Sequence, residues 1–380
     1  MPRDPIITGV GLSTALGNCR EVTWREVCAR GGVVETSSLP GVNAGDQARV
    51  AVLGCRVARE AVIDARWRDD EIRSAALIVG TSKGPVDFWL KARDERDSRE
   101  VLTADAGSHF AFGLAETATA VASDLGIGGP RLTVSGACAS GLIALIRGTM
   151  MIRSGEARRV IVVGCESSLH PMFAASFRRL GVIAAAGHGC RPFDRRRSGF
   201  VISEAAAAVC LEARDDGADV SRTWPTVERF AMGADACHLT AGDPDGLTLG
   251  RMLDRVIDGR PIDLIHAHGT GTIANDPIEL AAIERVLPQF CDNPPSVYSH
   301  KGALGHSLGA AGLVSVAINC LCHRDGIVPP NVATRDPLAT RNVSLRSDLH
   351  RRPIRRSAAI AAGFGGAIAA VTLISDPPCW

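Results

Sequence analysis

Two stretches of this chain, Ala139 to Ile152 and Ala310 to Leu321, are apolar on nearly every side when read at helical spacing. A surface helix shows one apolar stripe, so a helix that is apolar all round must be covered on all sides. Small residues at their starts (Ala139, Ser140 and Gly141; Gly309, Ala310, Ala311 and Gly312) allow close backbone packing. Between these stretches lie short β-rich runs: Ile6 to Val10, Ala76 to Val79, Val160 to Val163, Ala206 to Leu211, Leu264 to Ala267, Ile360 to Ala362 and Ala369 to Ile374. Several are continuously apolar, as strands covered on both faces are. The pattern therefore predicts a layered α/β fold made of two similar halves, with buried helices between sheets. The Asp- and Gly-rich segment from Ala213 to Ser221 serves as the joint, giving halves of residues 1–215 and 216–380.

Composition narrows the function classes. With 46% of 380 residues hydrophobic, the chain can fill a large core. A formal net charge of +1 argues against a nucleic-acid footprint spread over the protein. Twelve cysteines are scattered without a C-x-x-C pair, which reads as reduced, mostly buried thiols in a cytoplasmic protein. The N-terminal residues have no clear apolar h-region and do not read as a signal peptide. Gly363 to Ile374, the most apolar run, is too short to span a bilayer, so no membrane insertion is expected.

Four segments carry chemistry. In Val134-Ser135-Gly136-Ala137-Cys138-Ala139-Ser140-Gly141, a β-rich run ends in a tight turn and a helix begins at or just after the cysteine. A thiol there meets the positive end of the helix dipole, and nearby amides can receive a developing oxyanion. In Leu264 to Thr272, a buried strand runs out through His268 into a Gly/Thr turn, where α/β sites gather. His266, on the same strand face, reads as a hydrogen-bonded core histidine. A metal held by His266 and His268 lacks a third ligand at suitable spacing, and no metal is expected. The third segment, Ser299 to Gly312, sets Lys301 and His306 around the Gly-rich turn before the second buried helix. The fourth is Gly363-Phe364-Gly365-Gly366, whose glycines permit close backbone approach.

In their order and spacing these segments closely resemble β-ketoacyl-(acyl carrier protein) synthases, condensing enzymes of the thiolase superfamily. The resemblance rests on ACASG around Cys138, RPFDRRRSGF at Arg191 to Phe200, ADACHLTAGDPDG at Ala234 to Gly246, HGTGT at His268 to Thr272, KGALGHSLGAAG from Lys301, and GFGG from Gly363. It covers essentially the whole chain. It implies a five-layered αβαβα fold and decarboxylative condensation of an acyl group with malonyl-acyl carrier protein. By resemblance, Cys138 is the acyl-accepting nucleophile, and His268 and His306 hold the malonyl thioester carbonyl. Lys301 supports them, and the amides of Cys138 and Phe364 form the oxyanion hole. Phe364 also gates access, while Thr270 and Thr272 hold the phosphopantetheine arm. The implied partners are an acyl carrier protein, which brings the phosphopantetheine, and a second synthase subunit, identical or related. No other cofactor is implied.

The chain also departs from the family pattern. Ser315 stands where a Glu is common, nine residues after the motif histidine. Ile360-Ala361-Ala362 replaces Asn-Ser-Phe before the GFGG, and Ala367-Ile368 follows it in place of a small residue and Asn. Ser198 replaces Asp, and Ser203-Glu204-Ala205 replaces Gly-Glu-Gly. The regions before Ala76 and between Gly84 and Phe110 are short. These changes suggest a specialised fatty-acid or polyketide-type pathway. A thiolase would place a second cysteine where Phe364 stands. A non-catalytic chain-length-determining partner of a heterodimer and a non-condensing acyltransferase remain as alternatives. Arg195 and Arg196 are candidates for carrier contact, against a structural loop in which Asp194 pairs with Arg197. The cluster Arg351, Arg352, Arg355 and Arg356 reads as a solvated loop, and Glu204 and Asp276 as structural hydrogen-bonding residues.

Overall fold

The computed structural model describes residues 5–29, 31–42, 48–90, 113–214, 224–289 and 292–375. The proposed joint at residues 213–221 and the short segment between 84 and 110 lie largely outside the described residues. The first five strands are β1 (Pro5–Thr14), β2 (Ala76–Gly80), β3 (Arg131–Val134), β4 (Arg159–Glu166) and β5 (Ala205–Ala213). They are followed by β6 (Thr226–Ala234), β7 (Leu264–His266) and β8 (Ser296–Tyr298), and later by β11 (Arg356–Ala362) and β12 (Ala367–Ile374). Between these last groups, β9 (Ile327–Val328) and β10 (His350–Arg351) pair in a separate two-stranded ribbon.

The ten main strands run in the order β3-β2-β4-β5-β1-β6-β12-β11-β7-β8. Reading outward from the middle, each half has its first strand at the seam, then its fifth, fourth, second and third. The same topology is therefore used twice. The seam, β1 against β6, is a single residue pair, Ile6 with Thr226. The inner strands of each half follow the sequence pattern closely, with β2 and nearly all of β4, β5, β11 and β12 buried.

Three apolar clusters separate the layers. One lies under helices Arg49–Ala65 and Glu116–Leu125, on the outer face of the first half. Another lies under helices Leu247–Ile257 and Asn275–Arg285, on the outer face of the second. The central and largest cluster holds helices Ser140–Arg153 and Ala311–Asp325 between the two sheet halves. The result is the expected αβαβα stack. The two central helices begin within a residue of where the sequence places them, because their all-round apolarity admits no other layer.

Sequence reading missed β6, whose run is interrupted by Glu228 and Arg229. In the fold Glu228 is a counter-ion: its carboxylate meets Arg356 at 2.7 Å and Arg260 at 2.6 Å. This also corrects the expected solvated arginine loop at two of its four positions, while Arg351 and Arg355 are exposed. Arg356 is buried and donates to the carbonyls of Val256, Ile257 and Arg260, and Arg352 bonds Asp263 at 3.2 Å. The Asp194–Arg197 pairing is corrected as well. The Asp194 carboxylate accepts the amides of Arg196, Arg335 and Asp336, while Arg197 donates to the carbonyls of Asp194, Thr272 and Ile273. Glu204 is structural as read, held by Arg49 at 2.6 and 2.8 Å and by the Leu39 amide.

Candidate active site

The strand ends and turns that carry the candidate residues face one region. β3 leads through Ser135 and Gly136 to Cys138, and the helix proper starts at Ser140. The turn is tight: Ala137 adopts φ 50°, an uncommon value for a residue with a side chain. Ser140 holds it by accepting the Gly136 amide at 2.9 Å and donating to the Ala137 carbonyl at 2.6 Å. Cys138 itself is partly buried. Burial pushes its thiol up to about 11, while the charges of Lys83 and then Lys301 draw it back.

β7 ends at His266, and His268 follows with its backbone fixed by a buried carboxylate. Glu279 accepts the amides of His268 and Gly269 at 2.6 and 2.7 Å. Asp276, one helical turn before Glu279, accepts the Gly271 and Phe193 amides, so both acids shape this turn. Burial, reinforced by the charge on Asp276, raises Glu279 to about 7. Thr270 and Thr272 stand on the same turn with their hydroxyls 2.9 Å apart.

Lys301 opens a short helix after β8, fully buried, and its ammonium donates to the His268 carbonyl. Burial lowers its pKa, and Glu279 is the first charge opposing that. Gly305 (φ 73°) turns the chain to His306, and a Cβ at Gly305 would lie 2.9 Å from the Val201 carbonyl. This close approach lets His306 bond along residues 201–203, with its amide to Val201 at 2.7 Å and its carbonyl to the Ser203 amide at 3.1 Å. The His268 and His306 rings then lie 5.5 Å apart at 81°. Burial first, and the Lys301 charge second, hold both imidazoles well below their usual range, so both are neutral near pH 7.

The fourth segment closes on the first. Gly363 approaches the cysteine turn so nearly that a Cβ there would lie 2.8 Å from the Gly136 oxygen and 3.0 Å from the Cys138 nitrogen. Phe364 follows this contact directly in the chain, and its ring lies 6.3 Å from that of Phe177. Phe177 contacts Phe200, and Phe200 meets His306 edge-on at 4.9 Å. Cys138 joins Phe177 and Phe200 in an apolar cluster with Leu169, Val182, Ile183, Ile202 and Leu308.

Behind Lys301, Ser315 does not stand in for a carboxylate. It reaches the His300 Nδ1 at 3.4 Å, and His300 Nδ1 also meets His266 Nε2 at 2.9 Å. The His266 Nδ1 in turn meets Asn319 Oδ1 at 2.9 Å, so His266 is the core histidine expected. Among the described residues no group of three or more His, Cys, Asp and Glu is placed to hold a metal. None of their helices is long and apolar enough to cross a membrane.

Sequence reasoning missed Glu279, Lys83 and the aromatic wall. For Glu279 a signal existed, since Asp276 and Glu279 fall on one helix face three residues after the Gly/Thr turn. The others are brought in by tertiary packing.

A partly buried thiol before a central helix, two neutral histidines and a buried lysine thus share one region of a twice-used five-stranded topology, the thiolase fold. Two family descriptions match the chain: Beta-ketoacyl synthase, N-terminal domain, over residues 38–217, and Beta-ketoacyl synthase, C-terminal domain, over residues 226–335. The chain belongs to the β-ketoacyl synthase family. It is 33% identical over 337 residues to a polyketide beta-ketoacyl synthase of Streptomyces halstedii, covering 83% of this chain and 79% of the relative. It is 28% identical over 369 residues to 3-oxoacyl-(acyl-carrier-protein) synthase 2 of Mycobacterium leprae, covering 87% of each. Among solved structures, the ishigamide ketosynthase/chain length factor superposes with a TM-score of 0.88 at 26% identity, over 99% of this chain and 100% of that one.

Proposed function

We propose that this chain is a condensing enzyme that joins an acyl group held on Cys138 to malonyl-acyl carrier protein, giving a β-ketoacyl thioester. The observation that carries the reading is the pair of buried neutral imidazoles, His268 and His306, set beside Lys301 and the Cys138 turn. In the first step the Cys138 sulfur attacks the acyl thioester carbonyl. The new C–S bond forms, and the pantetheine thiol leaves with the proton that Cys138 gives up. The amides of Cys138 and Phe364 receive the oxyanion, and Phe364 gates the entrance. Thr270 and Thr272 hold the phosphopantetheine arm.

In the second step the malonyl carboxylate leaves as CO2, and its bonding pair becomes an enolate. A neutral imidazole donates through one nitrogen, so His268 and His306 together supply two donors to the enolate oxygen without a metal. Lysine at position 301 fixes the His268 backbone and adds positive potential. The enolate carbon then attacks the acyl carbonyl, the C–S bond breaks, and the Cys138 thiolate that leaves takes a proton from water to restore the thiol.

The carrier protein supplies the phosphopantetheine, and the chemistry needs no further cofactor. The enzyme works in the cytoplasm as a dimer, with an identical or related subunit, in a fatty-acid or polyketide-type pathway. Decarboxylation of malonyl-carrier protein by the acylated enzyme tests this reading. His268→Ala and His306→Ala should each slow CO2 release by about 10²-fold or more. Unchanged release in both would sink the assignment.

A further inference from the structure

One cation beside the thiol has no part in the steps above. Lys83 lies three residues beyond β2, whose end pairs with the end of β3, and β3 leads to Cys138. Its turn is pinned: Ser82 donates its amide and hydroxyl to the buried Glu166, and the Gly84 amide bonds the Thr81 hydroxyl at 3.1 Å. From there the Lys83 ammonium stands 5.2 Å from the centroid of Phe173 and 5.5 Å from that of Phe177. These rings are four residues apart on helix Pro171–Arg179, one turn of one face. Phe177 is also the ring that touches Phe200 and Phe364, so Lys83 lies against the apolar cluster that Cys138 packs on.

The ammonium bonds the Ser82 hydroxyl at 3.1 Å, and among the described residues no carboxylate forms an ion pair with it. The acid beyond Ser82, Glu166, is occupied by Ser82, the Ser168 hydroxyl and the Gly309 amide. One hydrogen bond leaves donors on the ammonium unfilled, since it carries three. An alkyl chain lying against these rings would strip water from that charge and return nothing, which is unfavourable. An acyl chain bearing an oxygen would return a charge-assisted hydrogen bond.

We propose that Lys83 determines acyl specificity: it takes a hydrogen-bond-accepting oxygen, carbonyl or carboxylate, on the acyl chain loaded onto Cys138. The inference rests on Cys138 carrying the acyl group, and its test separates the two. Acylation of Cys138 by pantetheine thioesters is followed by intact-protein mass spectrometry for the octanoyl, 3-oxooctanoyl and ω-carboxyoctanoyl groups. Native protein should load at least one oxygenated chain at least tenfold faster, in kcat/KM, than octanoyl; the 3-oxo and ω-carboxy arms tell a near oxygen from a distal one. Lys83→Met should cut that ratio at least tenfold, and Lys83→Arg should restore most of it. If Lys83 only assists the thiol, Lys83→Met slows every chain equally and the ratio stays within twofold, which overturns the proposal. Native protein with no preference for oxygen overturns it too. Failure of all three chains to load in native protein refutes the acyl-carrying role of Cys138 instead.

Discussion

Adding one methyl group at position 363 strikes the contact on which the oxyanion-hole assignment depends. In Gly363→Ala the new Cβ would lie 2.8 Å from the Gly136 oxygen, 3.0 Å from the Cys138 nitrogen and 3.1 Å from the Ala137 Cβ. A carbon and a carbonyl oxygen normally rest about 3.3–3.6 Å apart, so the two turns must separate by about half an ångström. Neither yields easily. The cysteine turn is clamped by Ser140, and Gly363 bonds Ala367 at 2.8 Å across the start of β12. Of the two proposed oxyanion donors, the Cys138 amide is in this contact and the Phe364 amide is the next in the chain after Gly363. Moving them apart removes the benefit of about one donor, which is about 10²-fold in rate or about 3 kcal/mol. Overpacking costs about 1–3 kcal/mol of stability, which leaves the fold intact. Stopped reactions with an acyl-carrier thioester, read by intact mass, should show acylation slowed by about 10²-fold in a variant with native circular dichroism. A folded Gly363→Ala enzyme that acylates within threefold of the native rate would refute the reasoning.

Three further outcomes follow from the same geometry. Lys301→Ala removes the donor to the His268 carbonyl, so CO2 release should fall by about 10²-fold and Cys138 acylation by much less; equal losses in the two assays would contradict the role. Arg49→Ala strips the guanidinium from the buried Glu204 carboxylate and should cost about 3–5 kcal/mol in urea unfolding, whereas a loss under 1 kcal/mol would contradict it. His323, half-buried and bonded to Ser357 and Ser375, is lowered to about 4 by desolvation. In the unfolded chain it takes up a proton near pH 6.5, while the folded chain does not, so its contribution to stability is lost as pH falls below 6.5. That loss reaches about 1.4 kcal/mol by pH 5.5. The stability difference between native protein and His323→Gln should therefore shift by that amount between pH 7.5 and 5.5, and a constant difference would contradict the account.

The layering was legible because it depends on composition within single segments. All-round apolarity puts helices Ser140–Arg153 and Ala311–Asp325 at the centre, and the short, continuously apolar run of β5 matches a strand covered on both faces. β6 was not legible, because the charges of Glu228 and Arg229 gain their partners Arg356, Arg260 and Asp258 only once the second half is folded. The same distinction holds at the site. Cys138, His268, Lys301 and His306 sit in turns whose glycines and small residues mark them in the sequence. Lys83, Phe173, Phe177 and Glu166 carry no local mark, and the sheet brings them to Cys138 from distant segments. Ser315 shows a third case. Its position drew notice by resemblance, yet its actual neighbour, the His300–His266–Asn319 chain, leaves its helix for two other segments and returns to it at Asn319.

The central claim, a condensation that passes through acyl-Cys138, is tested most directly by intact-protein mass spectrometry of the enzyme mixed first with acyl-carrier protein and then with malonyl-carrier protein. The account predicts an acyl adduct that maps to Cys138, disappears on malonyl addition, and yields a carrier-bound β-ketoacyl product. Cys138→Ala should give neither adduct nor product. Product formed by Cys138→Ala, or an acyl adduct that persists when malonyl-carrier protein is added, would contradict it.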